Sequence, residues 1–329
     1  MKRRDFARVL TIVLVVSAAL GPLCPGASGQ SAPKKTAWGD PDLQGVWGNA
    51  TITPLERPAA LGDKAFLTAE EAAQAEARIA NADEAAPRSG DPGTYNRFWT
   101  DSGTKVVGTR RSSLVIDPSN GRVPLTPLAE QLKAEDLAKN ADSWDHMSVW
   151  DRCITRGLPG AMLPAGYNNA YRILQAPGYV AIYYEMIHDV RIIPVDGRPH
   201  LPAVVTQWNG DPRGRWDGNT LVVDVTNYNG RSWISTSAAG GRIKGIHQTT
   251  HARVEERFTR TAADTITYQV RITDPEMYAQ PWTVEIPLTL DNGYTLYEYA
   301  CHEGNTAVAN ILAGGRAADR AKAGGKTRQ

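Results

Sequence analysis

The chain has 329 residues, of which 42% are hydrophobic and 22% are charged, and this composition excludes a wholly disordered protein. Residues 1–29 carry four basic side chains and one acidic one, and residues 314–329 carry five and one, so the overall charge of +1 leaves −6 on residues 30–313. A mildly acidic body excludes nucleic acid and anionic membrane as the main partners, because both require a basic surface. About 280 residues are enough to bury a large core in one domain.

The first 29 residues have the pattern of a cleaved export signal. A basic start, Lys2-Arg3-Arg4, is followed by an apolar run from Leu10 to Leu20, which is shorter than the about 20 residues that span a bilayer. Arg3-Arg4-Asp5-Phe6 fits the core of a twin-arginine signal, although a general secretory signal with incidental arginines is the alternative. Cleavage after Ala27-Ser28-Gly29 would start the mature chain near Gln30. We therefore predict a periplasmic or secreted protein with no stable membrane span.

The cysteines allow one disulfide in the mature chain. Removal of the signal would also remove Cys24, which leaves Cys153 and Cys301. In an oxidising compartment an even pair can form a disulfide, which would join the start of the second half of the chain to its end. Two buried thiols that act as small apolar side chains are the alternative.

Residues 30–150 are predicted to form an extended arm with two short helices and a hairpin. Thr68 and Glu71 form a capping box at the start of the first helix. The second helix starts at Thr126, with Pro127 in its first turn, where the missing N–H is harmless. The predicted elements are the helices 68–81 and 126–140 and a hairpin that pairs 113–117 with 122–125.

From about residue 170 the pattern changes to short runs rich in Val, Ile, Tyr and Thr, separated by tight turns such as Asp196-Gly197 and Asp217-Gly218. Sequential strands without crossover helices indicate an antiparallel meander, either closed into a barrel or strongly curved. We predict a mainly β protein in which residues 151–313 form the barrel with a closing helix at 305–313, followed by a disordered tail at 314–329. The predicted strands are 171–175, 179–186, 190–195, 204–208, 214–216, 220–226, 252–259, 265–273, 282–290 and 294–301.

Alternation along these strands predicts which side chains face the interior of one continuous sheet over residues 170–300. On the strand 252–259, Glu256 lies between Val254 and Phe258 on the inward face. A carboxylate in an apolar interior is costly unless it is paired or protonated, and we expect Arg191 or His188 to be its partner. The other residues predicted on the buried face are Tyr268, Val270, Trp282 and Val284.

Several common enzyme motifs are missing from the sequence. There is no G-x-S-x-G and no G-x-G-x-x-G after a strand, so neither an α/β-hydrolase nor a dinucleotide-binding site is supported. His302-Glu303 begins like the helix of a zinc protease, but Thr306 stands where a second histidine would be needed.

Three short segments, 183–191, 208–216 and 298–305, instead concentrate charged and aromatic side chains. Together with Glu256 they supply a proton donor, a proton acceptor and a fixed cation, which are the groups that general acid–base catalysis requires. The candidate catalytic residues are Tyr184, His188, Arg191, Glu256, His302 and Glu303. The candidate ligand-binding residues are Glu185, Trp208, Arg215, Trp216, Tyr268, Trp282 and Glu298.

Each of these segments also has a structural interpretation. His188 could belong to a turn, His302-Glu303 could cap the closing helix, and Arg215 could stack on a neighbouring tryptophan to close a barrel end. The histidines and nearby carboxylates could instead hold a divalent metal, although no pair has a diagnostic spacing. We predict no other cofactor.

Several longer segments carry a resemblance to known proteins. They are Pro41–Trp47, Arg152–Pro159, Met162–Asn169, 178–200, 208–220, Asp274-Pro275, Pro281-Trp282 and 298–305. Over these segments, which cover nearly all of the mature chain, the sequence resembles a family of exported bacterial proteins. The resemblance implies a shared fold and brings no known chemistry.

Gly45-Val46-Trp47 and the turn 214–218 are similar to features of calycin barrels. This resemblance implies a calycin-like antiparallel meander barrel with an N-terminal arm that contains two short helices. Calycin barrels bind apolar or aromatic molecules, and the phenolic acid decarboxylases are a precedent for Glu, Arg and Tyr chemistry inside such a cup.

We therefore predict an exported enzyme that uses general acid–base chemistry on a small apolar or aromatic molecule, as a lyase, hydratase or isomerase. A periplasmic binding or carrier protein without turnover is the alternative. An enzyme should bring Glu256, His188 or His302 within hydrogen-bond distance of one another around a cavity. A carrier should have an apolar cavity with these groups separately paired at its rim.

Overall fold

The computed structural model describes residues 34–82 and 100–326, so the predicted export signal lies outside the described residues. Three α-helices and ten strands are distributed along this part of the chain. None of the helices described combines the length and the apolarity that crossing a bilayer requires.

The helices are α1 (Ala69–Ala80), α2 (Pro127–Lys139) and α3 (Ala307–Lys326). The first two confirm the prediction: the Glu71 side chain and the Thr68 backbone N–H close the capping box, and Thr126 caps α2 through the N–H of Ala129 at 3.1 Å. The Asn305 side chain accepts from the N–H of Ala307 at the start of α3. This helix includes residues 314–326 of the segment 314–329 that we predicted to be disordered.

The strands form one ten-stranded antiparallel sheet, as expected for a mainly β protein. Its order is β5-β4-β3-β1-β10-β9-β8-β7-β6, and β2 pairs with the start of β10. The strands are β1 (Gly45–Gly48), β2 (Val115–Asp117), β3 (Ala170–Ala176), β4 (Tyr179–Tyr184), β5 (Val190–Pro194), β6 (Asp211–Asp217), β7 (Thr220–Thr226), β8 (Arg253–Ala262), β9 (Thr265–Thr273) and β10 (Trp282–Leu290).

The sheet curls until its two edge strands, β5 and β6, lie side by side, so it is nearly closed into a barrel. Gly214 on β6 makes this approach possible, because a Cβ there would lie 2.6 Å from the Val195 side chain and 2.9 Å from that of Ile193. Neighbouring strands run in opposite directions, and β5 and β6 are the first and the ninth strand in the order. These two edge strands are therefore parallel to each other. The described residues show no ladder of backbone hydrogen bonds between them.

β1 comes from the predicted N-terminal arm and completes the sheet. Trp47 pairs with Tyr171 of β3 on one side and with Leu290 of β10 on the other. Residues 170–300 therefore do not form a continuous sheet by themselves, contrary to our prediction. The two halves, β3–β5 and β6–β10, are joined through four residues that lie more than a hundred positions earlier in the sequence.

The predicted hairpin between 113–117 and 122–125 is wrong. β2 pairs instead with β10, with Val115 opposite Val284. The segment 122–125 forms no strand, because the Glu56 side chain accepts the N–H of Val123 and Leu125 makes an isolated bridge to Tyr278.

Two other predicted strands, 204–208 and 294–301, are irregular in the structure. The loop that contains Val205 is held by the Asn227 side-chain amide, which donates to the carbonyls of Leu201, Pro202 and Val205. Residues 294–301 contact other loops through side chains and a disulfide instead of a neighbouring strand.

The predicted alternation on β8, β9 and β10 is confirmed. Arg260 additionally places its guanidinium 5.4 Å from the centroid of the Trp47 ring, a stacking that we had expected at Arg215, which is exposed instead. The inward-facing side chains are fully buried: Val254, Glu256, Phe258, Tyr268, Val270, Trp282 and Val284.

Candidate functional site

A polar cluster lies inside the barrel around Glu256, whose residue is 0% exposed. Arg191 of β5 forms a bidentate ion pair with it: Nη1 donates to Oε1 at 3.1 Å and Nη2 contacts Oε2. The Tyr268 hydroxyl donates to Oε1 at 2.9 Å, and Arg191 also donates to the Tyr184 hydroxyl at 3.2 Å. Arg191 is thus the partner that we expected for Glu256.

The electrostatics of this cluster are those of a buried ion pair. Burial alone would lower the pKa of Arg191, but the Glu256 carboxylate outweighs it and the pKa is raised. Burial also raises the pKa values of Tyr184 and Tyr268, so both hydroxyls stay protonated near neutral pH. Glu256 does not line the open cleft at the barrel end that is described below. A substrate would have to break a bidentate ion pair to reach this carboxylate.

His188 lies at the end of the barrel where β4 turns into β5, separate from the interior cluster. The backbone here is left-handed at two successive residues, with φ of 64° at Ile187 and 45° at His188, a conformation that is costly for a β-branched residue. His188 Nδ1 donates to the carbonyl oxygen of Tyr299 at 2.7 Å. The histidine therefore connects this turn to the segment that precedes α3.

Asp189 extends this connection to two further loops. Its Oδ2 accepts hydrogen bonds from the Thr155 hydroxyl at 3.1 Å and from the Asn209 amide at 2.9 Å. Thr155 also contacts the Asn209 side-chain oxygen at 3.0 Å. Three of the segments that carried the family resemblance meet at this end of the barrel.

The disulfide between Cys153 and Cys301 fastens the same region. Of the two alternatives for the cysteines, a disulfide or two buried thiols, the structure shows the disulfide. It anchors the irregular segment 294–301 to the loop that follows Trp150. Asn305 supports this link by donating from its side-chain amide to the carbonyl of Asp151 at 3.3 Å.

Glu185 is a second buried carboxyl group, with its residue 1% exposed. Its Oε1 accepts from the Tyr294 hydroxyl at 2.7 Å, whereas Oε2 is enclosed and has no hydrogen-bond partner among the described residues. Burial raises the pKa of this carboxyl group, against the opposing effect of the hydrogen bond from Tyr294.

The remaining predicted site residues are dispersed. His302, Glu303, Glu298 and Arg215 are exposed. Trp208 lies under the Arg152 guanidinium, 5.8 Å from its ring centroid. Trp216 packs against the core and Trp282 stacks edge-on with Tyr278 at 5.4 Å. In the described residues neither His188 nor His302 hydrogen-bonds to Glu256.

An open cleft of about 450 Å³ lies beside the disulfide, at the end of the barrel. This volume is in the range of small-molecule sites. The cleft combines an aromatic wall with polar groups at its edge, supplied by Trp150, Asp151, Tyr167, Glu298, Tyr299 and Asn305. We call it the disulfide cleft.

Arg156, which no pattern in the sequence singled out, stacks on Trp150 of the cleft wall. Its residue is 4% exposed, and its guanidinium lies 4.9 Å from the centroid of the Trp150 ring. Tyr167, Tyr299 and Tyr171 interact electrostatically with its charge. No described carboxylate forms an ion pair with it, and burial lowers its pKa. Its segment, Arg152–Pro159, was noted for its resemblance and for Cys153, because an irregular loop has no alternation that reveals burial.

The geometry of the described residues does not support a metal centre. Across residues 34–82 and 100–326, no group of three or more His, Cys, Asp or Glu side chains is arranged to hold a metal ion. The histidines that we considered as ligands are separated, with His188 bound to a backbone carbonyl and His302 exposed.

The chain was compared with protein-family models, with curated proteins and with solved structures, and none of the three comparisons finds a match. The resemblance to exported bacterial proteins therefore stays a prediction, and the functional conclusion depends on the geometry of the site.

Proposed function

We propose that the protein is an exported carrier that binds a small aromatic molecule in the disulfide cleft and releases it unchanged. The observation that carries this proposal is the cleft itself, in which Trp150, Tyr167 and Tyr299 provide flat apolar surface next to hydrogen-bonding groups. Aromatic walls with a few polar groups are typical of sites for small organic molecules.

The separate pairing of the candidate catalytic groups supports a carrier over an enzyme. Glu256 is held by Arg191 and Tyr268, and His188 is held by a backbone carbonyl. General acid–base catalysis needs such groups within reach of one substrate. We therefore propose binding at the barrel end in place of the predicted acid–base site around Glu256.

The finer description of the fold and location belongs to the same proposal. We infer a calycin-like barrel from the G-x-W segment around Trp47 and from the chain order of the strands around the sheet. We also infer periplasmic or secreted localisation from the signal pattern, and a disulfide between Cys153 and Cys301 fits an oxidising compartment.

Native mass spectrometry of the protein purified from its own compartment tests the proposal. We expect the wild-type protein to carry a small molecule and the Tyr299→Ala variant to lose it. Tyr297→Ala is the matched control, because Tyr297 lies in the same segment but is 73% exposed and does not line the cleft. Wild-type protein with the mass of the bare chain, and with no binding of aromatic probes in titration, would refute the proposal.

One observation favours an acid–base enzyme as the second candidate. Glu185 has an enclosed carboxyl oxygen without a partner among the described residues, and burial raises the pKa of this group. A buried carboxyl group with a raised pKa is a candidate general acid. In a lyase, hydratase or isomerase, Glu185 would be the general acid.

Incubation of the purified protein with the molecule that it retains distinguishes the two candidates. A carrier returns that molecule unchanged, whereas an enzyme converts it, and Glu185→Gln should then abolish conversion while preserving binding. Conversion that persists in Glu185→Gln would exclude Glu185 as the acid.

A further inference from the structure

A second cavity is formed by α1 together with the segments 52–67 and 106–112 of the N-terminal part. It shares no lining residue with the disulfide cleft. Its volume of about 390 Å³ is in the range of small-molecule sites. We call it the α1 groove.

The walls of the α1 groove are aliphatic, whereas those of the disulfide cleft are aromatic. Backbone hydrogen bonds hold the two segments together: the N–H of Ile52 donates to the carbonyl of Lys105 at 2.9 Å, and that of Leu67 to the carbonyl of Arg110 at 2.8 Å. An aliphatic chain in this groove would bury its surface against apolar side chains, which favours binding. The apolar lining residues include Ile52, Pro54, Leu61, Leu67, Ala75 and Val106.

Two arginines, Arg78 and Arg111, line the same groove. Arg78 lies in the last turn of α1, and the Arg111 guanidinium lies over the Phe66 ring, 5.0 Å from its centroid. The carboxylates of Glu71 and Glu76 pair with lysines. Among the described residues, no acidic side chain forms an ion pair with either arginine. Both guanidinium groups are therefore left to bind an anion in the groove.

Glu71 is the one acidic residue among the described residues that line the α1 groove. Both of its carboxylate oxygens are already engaged. Oε1 contacts the Lys64 ammonium group, and Oε2 accepts the N–H of Thr68 at 2.8 Å in the capping box. The groove thus combines aliphatic walls with two positive charges that its own carboxylate does not neutralise.

We propose that the α1 groove is a binding site for a medium-chain fatty acid anion. The aliphatic chain packs against the apolar walls, and the carboxylate binds at Arg78 and Arg111. Guanidinium groups bind carboxylates through charge-assisted hydrogen bonds, which match the geometry of the two oxygens. This site is separate from the disulfide cleft and does not depend on the function proposed for it.

Calorimetric titration of the full mature chain with octanoate and with 1-octanol, which share a chain and differ in charge, tests the ligand class. We expect the wild type to bind octanoate about three- to tenfold more tightly, the gain typical of charged pairs that remain partly in water. Hexanoate should bind about tenfold more weakly than octanoate, because it buries two fewer methylene groups. Equal affinity for octanoate and 1-octanol would overturn the role of the arginines.

Substitution of the arginines tests where the carboxylate binds. Arg78→Gln and Arg111→Gln should each weaken octanoate binding and leave 1-octanol binding unchanged, so that retained 1-octanol binding also shows an intact groove. Arg110→Gln is the matched control, because Arg110 is an exposed neighbour that does not line the groove. An unchanged preference for octanoate in the double variant Arg78→Gln/Arg111→Gln would contradict the proposal.

Filling the groove from α1 tests where the chain binds. Ala75 lines the groove, so the leucine side chain of Ala75→Leu should occupy it and abolish binding of both probes. Ala73→Leu is the control on the same helix, because Ala73 is exposed and does not line the groove. Leucine is a good helix former, so both variants should fold like the wild type in circular dichroism. Octanoate binding that persists in Ala75→Leu, or is absent from the wild type, would overturn the proposal.

Discussion

Glu256 and Arg191 show how a sheet can hold a carboxylate on its apolar face. The ion pair is bidentate, both residues are almost fully buried, and Tyr268 donates a further hydrogen bond. Removing one partner of such a pair leaves the other charge buried alone, which costs far more than the intact pair contributes. The role of Glu256 is therefore structural in this account.

Glu256→Gln should lower the free energy of unfolding by about 3–5 kcal/mol, because it leaves the Arg191 guanidinium without a counter-ion. Urea denaturation at neutral pH measures this change. Glu255→Gln is the control on the same strand: Glu255 points outward and should contribute less than about 1 kcal/mol. Equal stabilities of the two variants would mean that Glu256 is not paired as described.

Glu185 should make the stability of the protein depend on pH. Its pKa is raised above the ordinary value of 4.5 by burial, so the protonated carboxyl group favours the folded state. The resulting stability is complete below about pH 4.5 and is lost as the pH rises through the raised value in the folded protein. Glu185→Gln cannot ionise, so it should exceed the wild type in stability at neutral pH and match it in acid.

Urea unfolding midpoints of wild type and Glu185→Gln, measured from about pH 4 to about pH 8, check this expectation. Glu298→Gln serves as control, because Glu298 is exposed in the same region and its replacement should follow the wild type throughout. A constant difference between wild type and Glu185→Gln across this range would contradict the prediction.

At the scale of single residues, the sequence predicted the interior better than the site. Period-two alternation on β8 located Glu256 among buried side chains, and a lone inward carboxylate called for a cation such as Arg191. Arg156 and Trp150 lie on irregular loops, where neither burial nor neighbours follow from spacing. Their proximity depends on how the barrel end is assembled from separate segments.

At the scale of elements, tertiary contacts decided which strand-like segments became strands. The segment 204–208 has the composition of a strand, but the Asn227 side chain binds the Val205 carbonyl together with those of Leu201 and Pro202 just before the segment. The helices α1 and α2 were predictable because, in each helix, the cap residue and the residue that it bonds lie within four positions of each other in the sequence. A capping box is local, whereas competition for a strand's backbone comes from distant residues.

The loop 157–163 packs so closely on the segment 228–248 that glycine is required at two positions. A Cβ on Gly160 would overlap the carbonyl oxygen of Ile234, which is backbone and cannot move aside easily. Gly160→Ala should therefore destabilise the protein by about 1–3 kcal/mol in thermal or urea unfolding. Gly166→Ala is the control, because a Cβ there meets no atom of the described residues within 4 Å. Similar stabilities of the two variants would show that the loop packs differently.

At the scale of the whole molecule, the predicted boundary between an arm and a barrel does not describe the sheet. β1 supplies the only strand between β3 and β10 in the described residues. The order of the strands along the chain predicts which strands are neighbours in a meander. The insertion of a four-residue segment from the N-terminal part has no local signal in the sequence. Gly45-Val46-Trp47 was noticed for its resemblance alone.

A chain that begins at residue 151 should consequently fail to form the barrel. Without β1 the sheet separates into β3–β5 and β6–β10, and the edges of both pieces are left unpaired. We expect this truncated chain to lack a cooperative thermal transition, whereas the chain from residue 34 should retain it. Cooperative unfolding of the shorter chain near the transition temperature of the longer one would contradict the role of β1.

The central claim is that ligands bind in the disulfide cleft and not inside the barrel. The nine tryptophans of the chain report on both places, since Trp150 lines the cleft and Trp282 is fully buried in the interior. The most direct measurement is the shift of the ¹⁵N-labelled indole N–H signals during titration with benzoate. We predict that the Trp150 signal moves while that of Trp282 stays in place. Movement of the Trp282 signal with an unchanged Trp150 signal would place the ligand inside the barrel and contradict the account.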